Sequence, residues 1–114
     1  MTQHDDLASL RHMLDHAVEA VNMASGRDRS ELDTNRMLQL ALVRLVEIVG
    51  EAASRVTANA QTWFREIPWQ KVRGMRNRLV HGYDIIDLNV LWDTIQHDLP
   101  PLIETLRKAL EEKP

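Results

Sequence analysis

The sequence contains no cysteine and no long apolar run, and each absence excludes a class of protein. Without cysteine the chain forms no disulfide scaffold and no thiolate centre, whether catalytic or metal-binding. No apolar stretch approaches the roughly 20 residues that span a membrane, and the polar, acidic residues 1–6 do not resemble a signal peptide. We therefore expect a cytoplasmic protein without membrane contact.

Glycine and proline are also scarce, with four of each among 114 residues. The chain therefore has no low-complexity segment, and its length fits one domain over residues 1–114. Its formal net charge of −3 argues against a protein that coats nucleic acid. Any contact with nucleic acid should be confined to a local site.

Apolar residues recur at steps of three and four along most of the chain, which predicts helices. In chain order we expect a helix ending at Ser25-Gly26, a polar connection over 27–34, the longest helix over about 35–58, a short helix or irregular segment over 57–67, a helix over 68–81, and a last helix capped by Asp87. The last helix keeps its apolar phase across Pro100-Pro101, where the two prolines predict a kink. The predicted fold class is all-α, an antiparallel bundle of four to five helices without a strand. Three tryptophans are expected to pack into its core: Trp63, Trp69 and Trp92.

The predicted central helix is apolar over most of its circumference, because Leu40, Val43 and Val46 broaden the main apolar line. In a domain this small the other helices do not suffice to cover it, so we expect a partner subunit. The helix also carries a polar stripe at helical spacing, made of Arg44, Glu47, Glu51 and Arg55. This stripe is either an ion-pair ladder in solvent or a set of acids that faces a basic helix, through Glu51 or Glu47.

The basic helix is the predicted element over 68–81, which starts with Pro68 and ends before Gly82. Its four cations are Lys71, Arg73, Arg76 and Arg78, and residues 67–83 include no Asp or Glu. A local charge of about +4 on an acidic chain favours a phosphate site, although solvated surface charges would give the same pattern. Four side chains at helical spacing are expected to converge at the helix C-terminus: Arg73, Arg76, Asn77 and His81.

The spacing of Arg76 and His81 is weak evidence by itself, because Arg11 and His16 repeat it in the middle of another helix. Only the second copy has Asn77 directly after the arginine and Tyr83 two residues past the histidine. Requiring all four residues lowers the expectation by chance to roughly 10⁻³, taking ordinary residue frequencies.

The stretch Arg76-Asn77-Arg78-Leu79-Val80-His81-Gly82-Tyr83 resembles the motif of the HepT-like branch of the HEPN superfamily, the toxin half of HEPN/MNT toxin–antitoxin modules. Segments 46–53, 66–69, 74–77 and 98–100 are also similar to recurring segments of these proteins. The resemblance implies a HEPN-type helical homodimer with two facing motifs, which acts as a metal-independent RNA endonuclease without a cofactor. It also implies a cognate minimal nucleotidyltransferase antitoxin, which in part of the family adds AMP to the motif tyrosine, here Tyr83.

The residues suit that chemistry independently of the family. Metal-free cleavage of RNA needs a base for the 2′-OH, an acid for the leaving 5′-oxygen, and cations for the phosphate. His81 can take either proton role and Arg76 can bind the phosphate bidentately, so these two are the candidate catalytic residues. The candidates for binding or orienting the substrate are Asn77, Arg73, Lys71, Arg78 and Glu51.

Two other interpretations remain open at this point. The leading interpretation is the ribonuclease. The second is a non-catalytic helical dimer that binds nucleotide or RNA, which the sequence does not fully separate from the first because binding and cleaving need the same cations. The chain is also consistent with a structural dimer whose polar cluster satisfies itself. The other histidines, His4, His12, His16 and His97, have no ligand-like partners at helical spacing except the surface pair His12 and His16, and we predict no metal site.

Overall fold

The computed structural model describes residues 3–81 and 85–111, with the side chains of all of these except residues 3, 4 and 81. The elements in chain order are α1 (Gln3–Ala24), α2 (Arg29–Thr34), α3 (Arg36–Ser54), α4 (Ala58–Trp63), α5 (Trp69–Arg73), α6 (Met75–Leu79), β1 (Val80–His81), β2 (Ile85–Ile86), α7 (Leu88–Asp93), a π-helical turn (Thr94–Asp98) and α8 (Leu99–Glu111). The predicted all-α class is confirmed. None of the helices described is both long and apolar enough to cross a membrane.

The core lies where α1 packs against α3 and α8. Leu10 and Met13 of α1, Leu42 and Val46 of α3, and Leu106 of α8 are all fully buried there. Each of these helices turns one apolar stripe inward, as the spacing predicts. The three helices form a scaffold against which the shorter elements pack.

The connection predicted over 27–34 contains a helix, α2, so the loop assignment was wrong. The Glu31 carboxylate accepts a hydrogen bond from the Asp28 backbone N–H at 3.5 Å, and Leu32 is fully buried. Asp followed three residues later by Glu is a helix start, and this signal outweighs the polar composition. The helix predicted over 35–58 is observed as α3, with the Asn35 side chain as its cap, but at 22 residues α1 is longer than α3 at 19.

The last helix continues from Leu88 to Glu111 through the π-helical turn. Pro100 and Pro101 have no N–H for the carbonyls four residues before them, and the Leu99 N–H donates to the Thr94 carbonyl five residues back. The wider turn takes up the irregularity that the prolines impose. The apolar phase runs through it as predicted, because Ile95, Leu99 and Leu102 are all buried.

The three tryptophans differ in how deeply their side chains are buried. Trp69 is buried, and its Nε1 donates to the Phe64 carbonyl at 3.1 Å. Trp92 is half-buried against the core. The packing assigned to Trp63 was wrong, because its side chain is 61% exposed. The short helix α4 ends at Trp63, and Phe64 occupies the core instead.

Candidate functional site

The basic stretch is not one helix over 68–81, as predicted, but two short helices followed by a strand. Gly74 has ψ −2, which departs from the helical value near −42° and separates α5 from α6. Helix α6 ends at Leu79, because Val80 is extended with φ −107 and ψ 125. His81 therefore lies in β1 and not in the last turn of a helix.

The prediction of no strand was likewise wrong. The β1 strand pairs antiparallel with β2, with Val80 opposite Ile86 and His81 opposite Ile85. The branched side chains of Val80, Ile85 and Ile86 favour extended backbone over helix. The residues predicted to end the helix and to carry the modification, Gly82 and Tyr83, lie outside the described residues, as does the side chain of His81.

Helix α5 lies close against the central helix α3. A Cβ built on Gly50 would be 3.2 Å from the Val72 carbonyl oxygen, which is too close for an ordinary contact. Only glycine at this position lets the two backbones approach without displacement. The contact fixes which residues of α3 face the basic stretch.

Arg76 is held by the acid that faces it across this contact. Its Nε donates to Glu47 Oε2 at 2.7 Å, with the Glu47 side chain 19% exposed and the Arg76 side chain 53% exposed. Among the described residues no acceptor contacts the terminal nitrogens of the Arg76 guanidinium. The pair therefore fixes the arginine through Nε and leaves its terminal edge available for a phosphate oxygen.

A cleft of about 100 Å³ lies beside this pair. It brings together four of the predicted site residues, Arg73, Arg76, Asn77 and Glu51, with Glu47 in the same wall. Arg44 lies 3.3 Å from Glu51 and 3.7 Å from Glu47, but the acid that accepts the hydrogen bond from Arg76 is Glu47. The predicted ladder is therefore partly an ion-pair stripe and partly a contact with the basic stretch.

Lys71 and Arg78 point away from this cleft. Both pair with Asp98 in the π-helical turn, at 3.1 Å and 3.5 Å, and the Asp98 side chain is 14% exposed. One carboxylate thereby ties α5 and α6 to the last helix. The predicted cations thus divide into two groups, one facing α3 and one facing the last helix.

The sequence did not identify two residues of this arrangement. Nothing in the sequence spacing of Asp98 indicates that it pairs with two cations. Gln61, whose Oε1 accepts from Arg73 at 3.1 Å, lies in a segment without a readable pattern. Among the described residues no group of three or more acids or histidines could hold a metal ion.

Comparison with known proteins gives a family model and relatives that are all named as ribonucleases. The sequence model of the family described as "Ribonuclease HepT-like" matches residues 13–109. "Putative RNase MJ1380" of Methanocaldococcus jannaschii is 31% identical over 90% of this chain and 94% of its own length. "Putative RNase MJ0125" of the same organism is 28% identical over 99% of this chain and all of its own length. "Probable ribonuclease HepT" of Thermococcus cleftensis is 38% identical over 65% of this chain and 70% of its own length. No solved structure matches.

Proposed function

The chain belongs to the ribonuclease HepT-like family, and on that premise we propose that it is a metal-independent RNA endonuclease. The observation that carries the proposal is the Arg76–Glu47 pair. It fixes one guanidinium through Nε in a small cleft, next to Asn77 and five residues before His81 in the chain. The names of the three relatives, each described as a ribonuclease, support the same activity.

The reaction is an internal displacement at phosphorus. The ribose 2′-oxygen forms a bond to phosphorus while the bond to the 5′-oxygen breaks, which leaves a 2′,3′-cyclic phosphate and a 5′-hydroxyl. One His81 imidazole accepts the 2′-OH proton, and a second, protonated imidazole donates a proton to the leaving oxygen. Arg76 binds the non-bridging oxygens, where negative charge increases in the transition state.

One chain supplies one such histidine, so the mechanism uses a homodimer in which two motifs meet. An apolar patch on α3 supports this assembly, since Met37 is 83% exposed and Leu40 is 49% exposed. Both side chains lie on the same helix as Glu47. A partner that covers them would lie beside the cleft.

Purified protein incubated with RNA in excess chelator tests the activity. We expect cleavage products that end in a cyclic phosphate, and no products from the His81→Ala variant, whose fold is checked by circular dichroism. RNA binding without cleavage would instead support the non-catalytic binding module. Cleavage by both proteins would show that the activity comes from a contaminant or from another site.

We further propose that the protein is the toxin of a toxin–antitoxin pair, neutralised by a minimal nucleotidyltransferase that adds AMP to Tyr83. The added phosphate and base would reduce the positive charge of the motif and block RNA. With the cognate enzyme and ATP, the wild type should gain one AMP mass and lose cleavage, while Tyr83→Phe should keep both its mass and its activity. The same mass gain on Tyr83→Phe would show that the modification lies elsewhere.

A further inference from the structure

We propose that a second cleft next to Arg76 is a base-recognition subsite that selects an unpaired guanine in the RNA. The cleft has a volume of about 610 Å³ and lies between α6 and the last helix. Its lining residues are Asn77, Arg78, Asn89, Val90, Asp93 and Thr94. The inference rests on the proposed function, because it names the substrate feature that the same motif would recognise.

Asn77 connects this cleft to the cleavage site. It lines both the 610 Å³ cleft and the small cleft that contains Arg76. Its side chain is exposed, and among the described residues it has no hydrogen-bond partner. An RNA strand whose phosphate is bound by Arg76 can therefore place a neighbouring base across Asn77 into the larger cleft.

Asn89 contributes a donor of fixed orientation. Its Oδ1 accepts two hydrogen bonds from Arg29, from Nε at 3.2 Å and from Nη2 at 2.7 Å. Because an arginine donates only, these bonds fix which end of the amide faces α2. The Asn89 amide N–H₂ is left as the end that can donate to a ligand.

Asp93 contributes the acceptor, one helical turn after Asn89 on the same face of α7. Its side chain is 69% exposed, and its nearest ion-pair partner, His97 Nε2, is 3.6 Å from Oδ1. The Arg78 guanidinium also lines the cleft, and its Nη2 lies 3.5 Å from Asp98 Oδ2. Val90 and the buried Thr94 complete the lining with mainly apolar surface, on which the plane of a base can pack.

Guanine is the base that fits this set of groups. Its Watson–Crick edge places two N–H donors, at N1 and N2, next to the O6 acceptor. A carboxylate accepts two parallel N–H bonds, and an amide or guanidinium donor suits O6. Adenine, cytosine and uracil each offer fewer donors to the carboxylate, and RNA recognition generally reads such edges on unpaired bases.

The test measures binding in the His81→Ala background, so that it does not depend on cleavage. The ligands are short oligouridines with a single central guanosine, inosine or uridine. Inosine lacks only the N2 amino group, so we expect it to bind at least about fivefold more weakly than guanosine, the loss of one hydrogen bond to a charged acceptor. Adding Asp93→Asn should remove this difference. Because the comparison is the ratio of the affinities for guanosine and inosine, the general effect of the changed charge on RNA binding cancels.

Asn89→Asp is the second variant, because it replaces the donor with an acceptor. It should lower the affinity for the guanosine and inosine ligands alike, relative to the uridine ligand. The expected loss is roughly 5-fold to 150-fold, as for a lost base contact. Gln96→Glu adds the same negative charge to an exposed position of the same helix, outside the cleft, and should leave these preferences unchanged.

Equal affinity for guanosine and inosine, or a difference that survives Asp93→Asn, would overturn the subsite. The proposed function is judged separately, by whether the wild type cleaves these RNAs at all. If it cleaves them, the cut should fall at a phosphate next to the guanosine, and cuts spread evenly along the strand would also contradict the inference.

Discussion

Glu47 is the residue that decides how Arg76 is oriented. The carboxylate is mostly buried while the guanidinium is about half exposed. Because the guanidinium side of the pair is open to solvent, the pair contributes only about 1 kcal/mol to stability. Its larger effect is positional, since a displacement of about 1 Å at a reacting group can cost about 10²-fold in rate.

We therefore predict that Glu47→Gln lowers the rate of RNA cleavage by roughly 10-fold to 100-fold while the free energy of unfolding changes by less than about 1 kcal/mol. Steady-state kinetics and urea denaturation measure the two effects. The matched control is Glu104→Gln, an exposed position on α8. If the lower activity of Glu47→Gln were fully explained by a loss of folded protein, the pair would only support the fold.

Arg76 faces α3, whereas Lys71 and Arg78 face the last helix, and we therefore predict that substitutions in the two groups have different effects. Alanine at Arg76 or His81 should abolish cleavage with the fold intact, because in the proposed mechanism Arg76 binds the phosphate and His81 transfers the protons. Alanine at Lys71 or Arg78 should mainly weaken RNA binding, and each should reduce the slope of log affinity against log salt by about one. The measurement is RNA binding at several salt concentrations, and equal effects of all four variants would favour a binding module over an enzyme.

Residue types and spacing could predict part of this site. Arg73, Arg76 and Asn77 share one cleft because steps of three and four put them on neighbouring parts of a helical segment. The partner of Arg76 could not be read in the same way. Glu47 and Glu51 both lie on the stripe at helical spacing, and the bond from Arg76 to Glu47 depends on how closely α5 packs against α3 at Gly50.

At the scale of elements, the sequence predicts long helices better than their interruptions. The basic stretch has helical apolar spacing throughout, but the backbone turns at Gly74 and becomes extended at Val80. Periodicity does not distinguish one helix from two short ones when a single glycine separates them. The consequence for the site is that Arg76 and His81 belong to different elements, α6 and β1.

The start of α4 depends on a carboxylate from another helix. Asp6 is 5% exposed, and it accepts two hydrogen bonds from Thr57, one from the backbone N–H and one from the hydroxyl, both at 2.9 Å. Thr57 in turn caps α4 by accepting from the Ala60 N–H. Asp6 therefore joins α1 to the segment that leads into the basic stretch.

We predict that Asp6→Ala lowers the free energy of unfolding by roughly 2–3 kcal/mol, because it leaves the two Thr57 donors without a charged acceptor. Urea denaturation at a fixed protein concentration measures the change. Asp15→Ala, at an exposed position of the same helix, should change stability by less than about 0.5 kcal/mol. Equal effects of the two substitutions would contradict the role given to Asp6.

At the scale of the whole molecule, the exposed apolar patch of Met37 and Leu40 on α3 supports the proposed dimer. Met37→Glu places a charge on that patch, and it should weaken association at least about tenfold, since burying such a side chain is worth about 1.5–3 kcal/mol. Light scattering at micromolar concentration should give twice the 13.2 kDa chain mass for the wild type and a lower mass for this variant. Asn59→Glu, at an exposed position on α4, is the control with the same added charge.

Subunit mixing then tests whether the active site needs both chains. Wild-type protein and His81→Ala are unfolded together in urea, refolded at constant total concentration, and assayed for cleavage. If one imidazole from each subunit takes part, a mixed dimer has one histidine and is inactive, so the activity falls with the square of the wild-type fraction. A linear fall would show that each subunit works alone, and a monomeric wild-type mass would exclude the two-histidine mechanism regardless of the kinetics.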